Sequence, residues 1–220
     1  MGRVEKLQRQ LADSRGRRVA LLSHCLLNEN VRYLGGAGRS GGVRELVDRY
    51  LARGVAIYQL PCPEQHAWGG VLKRRMLLAY GASGTWRPPV VRLLVRPFLR
   101  YTQVVYARLA RRVAKDVVDY RGAGVEVVGL VGVGGSPSCG VRTSLDVPAA
   151  VDALCRLLCT RLDRDSLNQA VAASICHGEG MFARELRKQI SDAGVSVGFE
   201  EHDLLSELAA SDPAVQSSRD

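Results

Sequence analysis

The chain has 220 residues, with 31 Lys+Arg against 22 Asp+Glu and a formal charge of +9. Hydrophobic residues make up 46% and charged residues 24%, which fits a globular domain with a real core and excludes wholesale disorder. Six cysteines are too few for a disulfide scaffold at this length. No apolar run reaches the roughly 18 residues of a membrane span, and the charged start lacks the apolar stretch of a signal peptide. The expectation is a cytoplasmic protein with reduced thiols.

Residues 4–14 read as a short amphipathic helix, with Val4, Leu7 and Leu11 on one face. Residues 18–23 contain a continuous apolar run, the pattern of a buried parallel strand. A Gly-rich loop follows over 35–42. Residues 43–53 predict a helix through Leu46, Val47, Tyr50 and Leu51, stopped by Gly54. Residues 55–60 are a second strand, ended by Pro61 and Pro63. The stretch 70–100 reads as irregular, with Pro88, Pro89 and Pro97 as breakers. Residues 101–120 predict a long helix with Val104, Val105, Leu109, Val113 and Val117 on its apolar side.

Residues 125–133 are a third strand, apolar almost throughout, and 134–140 form a tight loop. A helix is expected over 147–162, with Asp146 as cap and Pro148 near the first turn. Residues 170–176 read as a fourth strand despite their Ala content. A helix over 180–192 and a strand over 195–199 complete the pattern. Residues 1–210 are therefore one α/β domain with a polar tail at 211–220. Alternating strands and helices imply a mostly parallel, Rossmann-like sheet with helices on both faces. All strand C-termini then lie on one edge, where such sheets bind ligands.

The basicity is local. Residues 70–122 hold twelve bases and two acids, a net +10, which leaves −1 for the rest of the +9 chain. This segment reads as a basic insertion.

Cys25 and Cys62 fall just after the first and second strands, and Cys139 follows the third by one short loop. A parallel sheet would bring all three to one rim. Soft thiolates gathered in this way hold zinc or an iron–sulfur cluster. No CxxC is present, so the placement on the sheet edge carries the argument rather than the spacing. Cys155 and Cys159 lie i, i+4 and read as the buried face of a helix. Cys176 is near a strand end and is a further candidate for the rim.

Glu64 is two residues beyond Cys62 in a proline-stiffened turn. It is a candidate general acid or base as well as a candidate cap. Ser136 and Ser138 flank Pro137 beside Cys139; their hydroxyls suit a substrate, a cluster sulfur or a turn. His24 and His66 read as structural. Gly134, Gly135 and Gly140 fit either an anion-binding nest or an ordinary tight turn. Gly132 and Gly134 do not start a dinucleotide fingerprint, because Pro137 stands where the third glycine belongs.

Three motifs carry a family resemblance: Ser23-His-Cys-Leu-Leu-Asn-Glu-Asn-Val-Arg-Tyr33, Leu60-Pro-Cys-Pro-Glu64 and Gly135-Ser-Pro-Ser-Cys-Gly140. In this order, over roughly residues 18–199, they resemble the thiouracil desulfurases and related desulfidases. The resemblance implies a [4Fe-4S] cluster held by Cys25, Cys62 and Cys139, with the fourth iron open. That iron would take the sulfur of a thiolated small molecule or nucleobase, and water would replace it on carbon. Glu64 would handle the water or the leaving proton, with Ser136 and Ser138 beside it. The Gly-rich turn before Cys139 would seat the substrate's polar edge. Two positions depart from the family pattern: Asn28 replaces a glycine in Cys-Leu-x-Gly, and Leu34 replaces an aspartate in Arg-Tyr-Asp-Gly. The segment after Glu64 is also longer and more basic than the family's.

Two other readings compete. One is a zinc- or cluster-stabilised binding module, with Cys176 or a histidine as fourth ligand and 70–122 facing RNA or another anionic partner. The other places the basic, apolar stretch 89–100 on a membrane surface or a partner. Under the desulfidase reading, segment 70–122 would cover the pocket or draw in an anionic thiolated substrate.

Overall fold

The structure is a computed structural model that describes residues 2–79, 88–158 and 163–204. In chain order the elements begin with α1 (Arg3–Gln10), β1 (Arg18–Leu22), α2 (His24–Leu27), a 3-10 turn (Glu29–Val31), α3 (Arg44–Leu51) and β2 (Ala56–Gln59). Then come α4 (Pro63–Ala67), α5 (Arg74–Ala79), α6 (Pro88–Gly122) and β3 (Glu126–Val133). The chain continues through β4 (Thr143–Leu145), α7 (Val147–Leu158), α8 (Arg164–Ala173), β5 (Ile175–His177), α9 (Met181–Asp192) and β6 (Phe199–His202).

Four parallel strands form the main sheet in the order β2-β1-β3-β6. Side chains alternate across it, so one apolar run serves two cores. Val19 and Leu21 of β1 join α6 and α9 on one face, through Tyr106, Val113, Val117, Phe182 and Leu186. Ala20 and Leu22 join Leu26, Val43, Leu46 and Leu204 on the other. Helices thus cover both faces, and the expected α/β, Rossmann-like class is the observed one. From β1 the chain moves outward to β2, then returns across β1 to β3. The gap between β1 and β3 is a topological switch point, where open α/β sheets bind their ligands.

Three expectations are corrected. Residues 88–100 are helical, not irregular: Pro88 and Pro89 occupy the first turn of α6, where a missing N–H costs nothing. Pro97 lies inside α6 without ending it. An interior proline costs about 3 kcal/mol, and the helix beyond it is anchored by Tyr106, Ala110, Val113 and Val117 in the core. The strand expected over 170–176 is met only at its end: 170–173 close helix α8, which Asp163 and Ser166 start with a reciprocal capping box and alanine favours, and β5 begins at Ile175, paired with β4 outside the main sheet. The last strand begins at Phe199, several residues late, because Val195 and Val197 pack on the core before the ladder starts.

The segment 70–122 contains the crossover from β2 to β3. Its second half, α6, is one wall of the core, while Arg100, Arg108, Arg111, Arg112 and Lys115 are exposed on its outer face. Residues 80–87, the tail from 205 and Cys159 lie outside the described residues, as do the side chains of 88–95 and Cys155. No helix among the described residues is long and apolar enough to cross a membrane.

Between β3 and α9 the chain builds a small lobe. β4 and β5 pair antiparallel, and α7 packs against α8 above them. This lobe stands over the C-terminal edge of the main sheet.

Candidate functional site

The three strand-end cysteines meet in one cavity. Cys25 sits in α2 directly after β1, Cys62 is the N-cap of α4 after β2, and Cys139 lies in the loop after β3. All three line a cavity of about 400 Å³ at the switch point. Cys62 and Cys139 are buried and Cys25 is partly buried, and none of the three forms a disulfide. Burial pushes the Cys25 thiol up to about 12, reinforced by the neighbouring Cys62. It pushes Cys62 up to about 11, reinforced by Glu64. Cys139 is raised as well, by burial and then by Cys25. Cys25 and Cys139 are thus each raised in part by a neighbouring cysteine of the rim.

Glu64 lies in the first turn of α4 and is buried. One carboxylate oxygen forms an ion pair with Lys73 Nζ. The other, Oε1, accepts a hydrogen bond from Ser138 Oγ at 2.9 Å. Lys73 is itself 7% exposed and has φ +51°. Left-handed backbone is uncommon for a non-glycine residue and marks positions under constraint. Burial lowers the Lys73 pKa, but the charges of Glu64 and Cys62 outweigh it, so the net shift is upward. Sequence reasoning counted Lys73 only as one base of a basic run. Its place nine residues after Glu64 is set by a turn through Gly69 and Gly70, both with positive φ.

The serines are ordered as a relay. Ser136 Oγ accepts hydrogen bonds from the backbone N–H groups of Cys139 at 3.0 Å and Ser138 at 3.3 Å. It also lies 3.1 Å from Ser138 Oγ. Ser138 in turn reaches both Glu64 Oε1 and, at 3.6 Å, Cys139 Sγ. Beneath them Tyr106 is buried with no hydrogen-bond partner for its hydroxyl among the described residues.

The Cys139 loop is held from three sides. Glu201 of β6 accepts N–H bonds from Val141, Arg142 and Thr143 at 2.8, 2.6 and 3.0 Å. The N-terminus of α9 donates to the carbonyls of Pro137 and Ser138. Gly140 packs so tightly that an added Cβ would stand 1.9 Å from the Thr143 carbonyl oxygen. Sequence reasoning missed Glu201, which lay in an acidic stretch beyond the last expected strand.

The nest reading of this loop is corrected. Gly134 N donates to the His202 carbonyl, Gly135 N to Thr143 Oγ1, and Gly140 N to the Ser136 carbonyl. The amides are consumed in shaping the turn, so they do not seat a substrate's polar edge.

The Gly-rich loop 35–42 is organised by Glu29, another residue the sequence reading passed over. Glu29 Oε2 accepts from the N–H groups of Gly38 and Arg39 at 2.7 and 3.1 Å. It also pairs with Arg32 at 3.7 Å, which lines the cavity. From above, Arg164 and Asn168 of α8 bind the carbonyl of Gly35.

Other candidates lie elsewhere. Cys176 is exposed in β5, with its thiol 3.5 Å from the Ser144 carbonyl, and does not line the cavity. His24 lines it but is engaged by Gln59, 3.1 Å away, and His66 is exposed. Of the basic residues in 70–122 that the structure describes, only Lys73 lines the cavity. The exposed arginines of α6 do not cover it.

Among the described residues, no group of three or more His, Cys, Asp and Glu side chains is disposed to hold a single metal ion. That geometry gives no support to a one-zinc site. A cluster makes a different demand, because each thiolate takes its own iron. Three thiols from three separate strand-end segments around one cavity suit that donor pattern, and no further cysteine lines the cavity among the described residues. No family model matches the chain, and no curated protein or solved structure matches it either.

Proposed function

We propose that this chain is an iron–sulfur-dependent desulfidase that removes sulfur from a thiolated small molecule. The supporting observation is the meeting of Cys25, Cys62 and Cys139 in one cavity with the buried Glu64–Lys73 pair. When bound through the three thiolates, a [4Fe-4S] cluster supplies a Lewis-acidic iron with a position open to sulfur. The net reaction is non-redox: a thiocarbonyl and water give a carbonyl and hydrogen sulfide.

The chain's own residues supply the proton chemistry. Lys73 holds one oxygen of Glu64 and keeps the carboxylate fixed. Glu64 Oε1 is the atom that accepts the proton of the incoming water and returns it toward the departing sulfur. Ser138 orients that oxygen, and Ser136 orients Ser138. Apolar side chains of α7 and α8 line one side of the cavity.

Anaerobic reconstitution with iron and sulfide tests the reading. The expected result is a brown protein with iron and acid-labile sulfide in the ratio of a [4Fe-4S] centre, which releases sulfide from a thiocarbonyl compound. A colourless protein that takes up no iron under these conditions overturns it.

A further inference from the structure

We infer that the substrate of this cavity has an apolar body, with its polar atoms confined to the sulfur end. The inference rests on the desulfidase reading for its sulfur chemistry. Its ground is the wall facing the thiols, which comes from the lobe between β3 and α9. Leu145, Val147, Ala150 and Leu154 line it from β4 and α7, and Leu167 and Val171 from α8. None of these six side chains can donate or accept a hydrogen bond. A ligand long enough to reach from the thiols into the lobe must lay its far side on this surface.

Several of the polar side chains that line the cavity already hold a partner within the protein. Tyr33 Oη donates to Asn168 at 2.8 Å. His24 is engaged by Gln59, Arg32 by Glu29 and Lys73 by Glu64. The Ser136 hydroxyl carries the amides of Ser138 and Cys139. The loop amides of Gly134, Gly135 and Gly140 are also satisfied internally. A ring carrying hydrogen-bonding groups around its edge would exchange water for leucine and valine without compensation. An aryl or alkyl thiocarbonyl compound loses nothing there and gains the burial of its body. The volume, about 400 Å³, admits a small molecule of this kind.

Leu34, 54% exposed, adds a further apolar side chain to the cavity lining.

The test compares two thiocarbonyl probes of similar size, thiobenzamide and 2-thiouracil, by calorimetric titration of the full chain, first metal-free and then reconstituted. Thiobenzamide is expected to bind at least about tenfold more tightly. Its oxygen counterpart benzamide should keep that preference over uracil, because the wall and not the sulfur sets it. Leu154→Asn should weaken thiobenzamide about tenfold and leave 2-thiouracil unchanged. Equal or tighter binding of 2-thiouracil overturns the inference, as does failure of thiobenzamide to bind. If Leu154→Asn does not fold, Val171→Thr, which keeps the side-chain shape and adds one hydroxyl, serves in its place. Failure to take up iron overturns the desulfidase reading and leaves the metal-free affinities standing. A loaded cluster with no apolar preference overturns only the substrate class.

Discussion

Ser138 Oγ donates a 2.9 Å hydrogen bond to Glu64 Oε1 across 74 residues of sequence. The bond ties the loop after β3 to the helix after β2, so two of the three cysteines share one rigid frame. Cys62 is the cap of that helix and Cys139 is the next residue along that loop.

Replacing Cys25, Cys62 or Cys139 singly by serine should abolish iron uptake in anaerobic reconstitution. Cys176→Ser should retain it, since that thiol is exposed and does not line the cavity. Iron analysis and the visible absorption band read the difference. Full loading of any of the three rim variants would show that the rim is not the ligand set.

The Glu64–Lys73 pair predicts strong coupling. Glu64→Gln leaves the Lys73 ammonium buried without its carboxylate, which costs about 3–5 kcal/mol. Lys73→Met alone should be destabilising for the same reason in reverse. The double variant should lose clearly less than the sum of the two, as urea unfolding would show. Simple additivity would mean that the two groups do not compensate each other in the folded chain.

Glu201 predicts an acid-sensitive loop. Burial raises its pKa, but N–H bonds from Arg142, Thr143 and Val141 outweigh that and hold it below the ordinary value of 4.5. A depressed folded pKa stabilises above the unfolded value and is lost as pH falls through the folded one. Glu201→Ala should therefore cost about 2 kcal/mol at neutral pH. Below pH 4.5 the gap to the unaltered chain should narrow. A gap that stays constant down to pH 3 would contradict the assignment.

Gly140→Ala should damage the site more than the fold. The new methyl would meet the Thr143 carbonyl at 1.9 Å, and only backbone movement relieves that contact. Overpacking of this kind costs about 1–3 kcal/mol. The expected result is a protein of unchanged circular dichroism with a lower melting temperature and impaired iron uptake. Normal loading and melting would show that the loop has room to spare.

The strands β1, β2 and β3 and the class of fold were legible from the chain alone. Their apolar runs are short, continuous and bounded by Gly or Pro, and only a sheet covered on both faces demands that pattern. The cysteine rim followed from the same fact, since parallel strands leave their C-termini on one edge. Pro97 misled because a local breaking tendency is outweighed by burial of Tyr106, Val113 and Val117, which lie beyond it. The first part of the 170–176 stretch misled because the Asp163 cap, outside that window, sets the helix that runs to Ala173; Ile175 and Cys176 are strand.

The sequence by itself determined a parallel α/β domain and the strand-end placement of Cys25, Cys62 and Cys139. Only the tertiary structure decided that Lys73 leaves the basic run to neutralise Glu64, and that Glu201 holds the Cys139 loop. Only it decided that the loop amides are spent and that an apolar lobe roofs the cavity. The reason is physical. Periodicity and breakers report on a residue's nearest neighbours along the chain. A buried ion pair, a satisfied amide and a cavity wall depend on groups far apart in sequence, which meet only when the sheet is assembled.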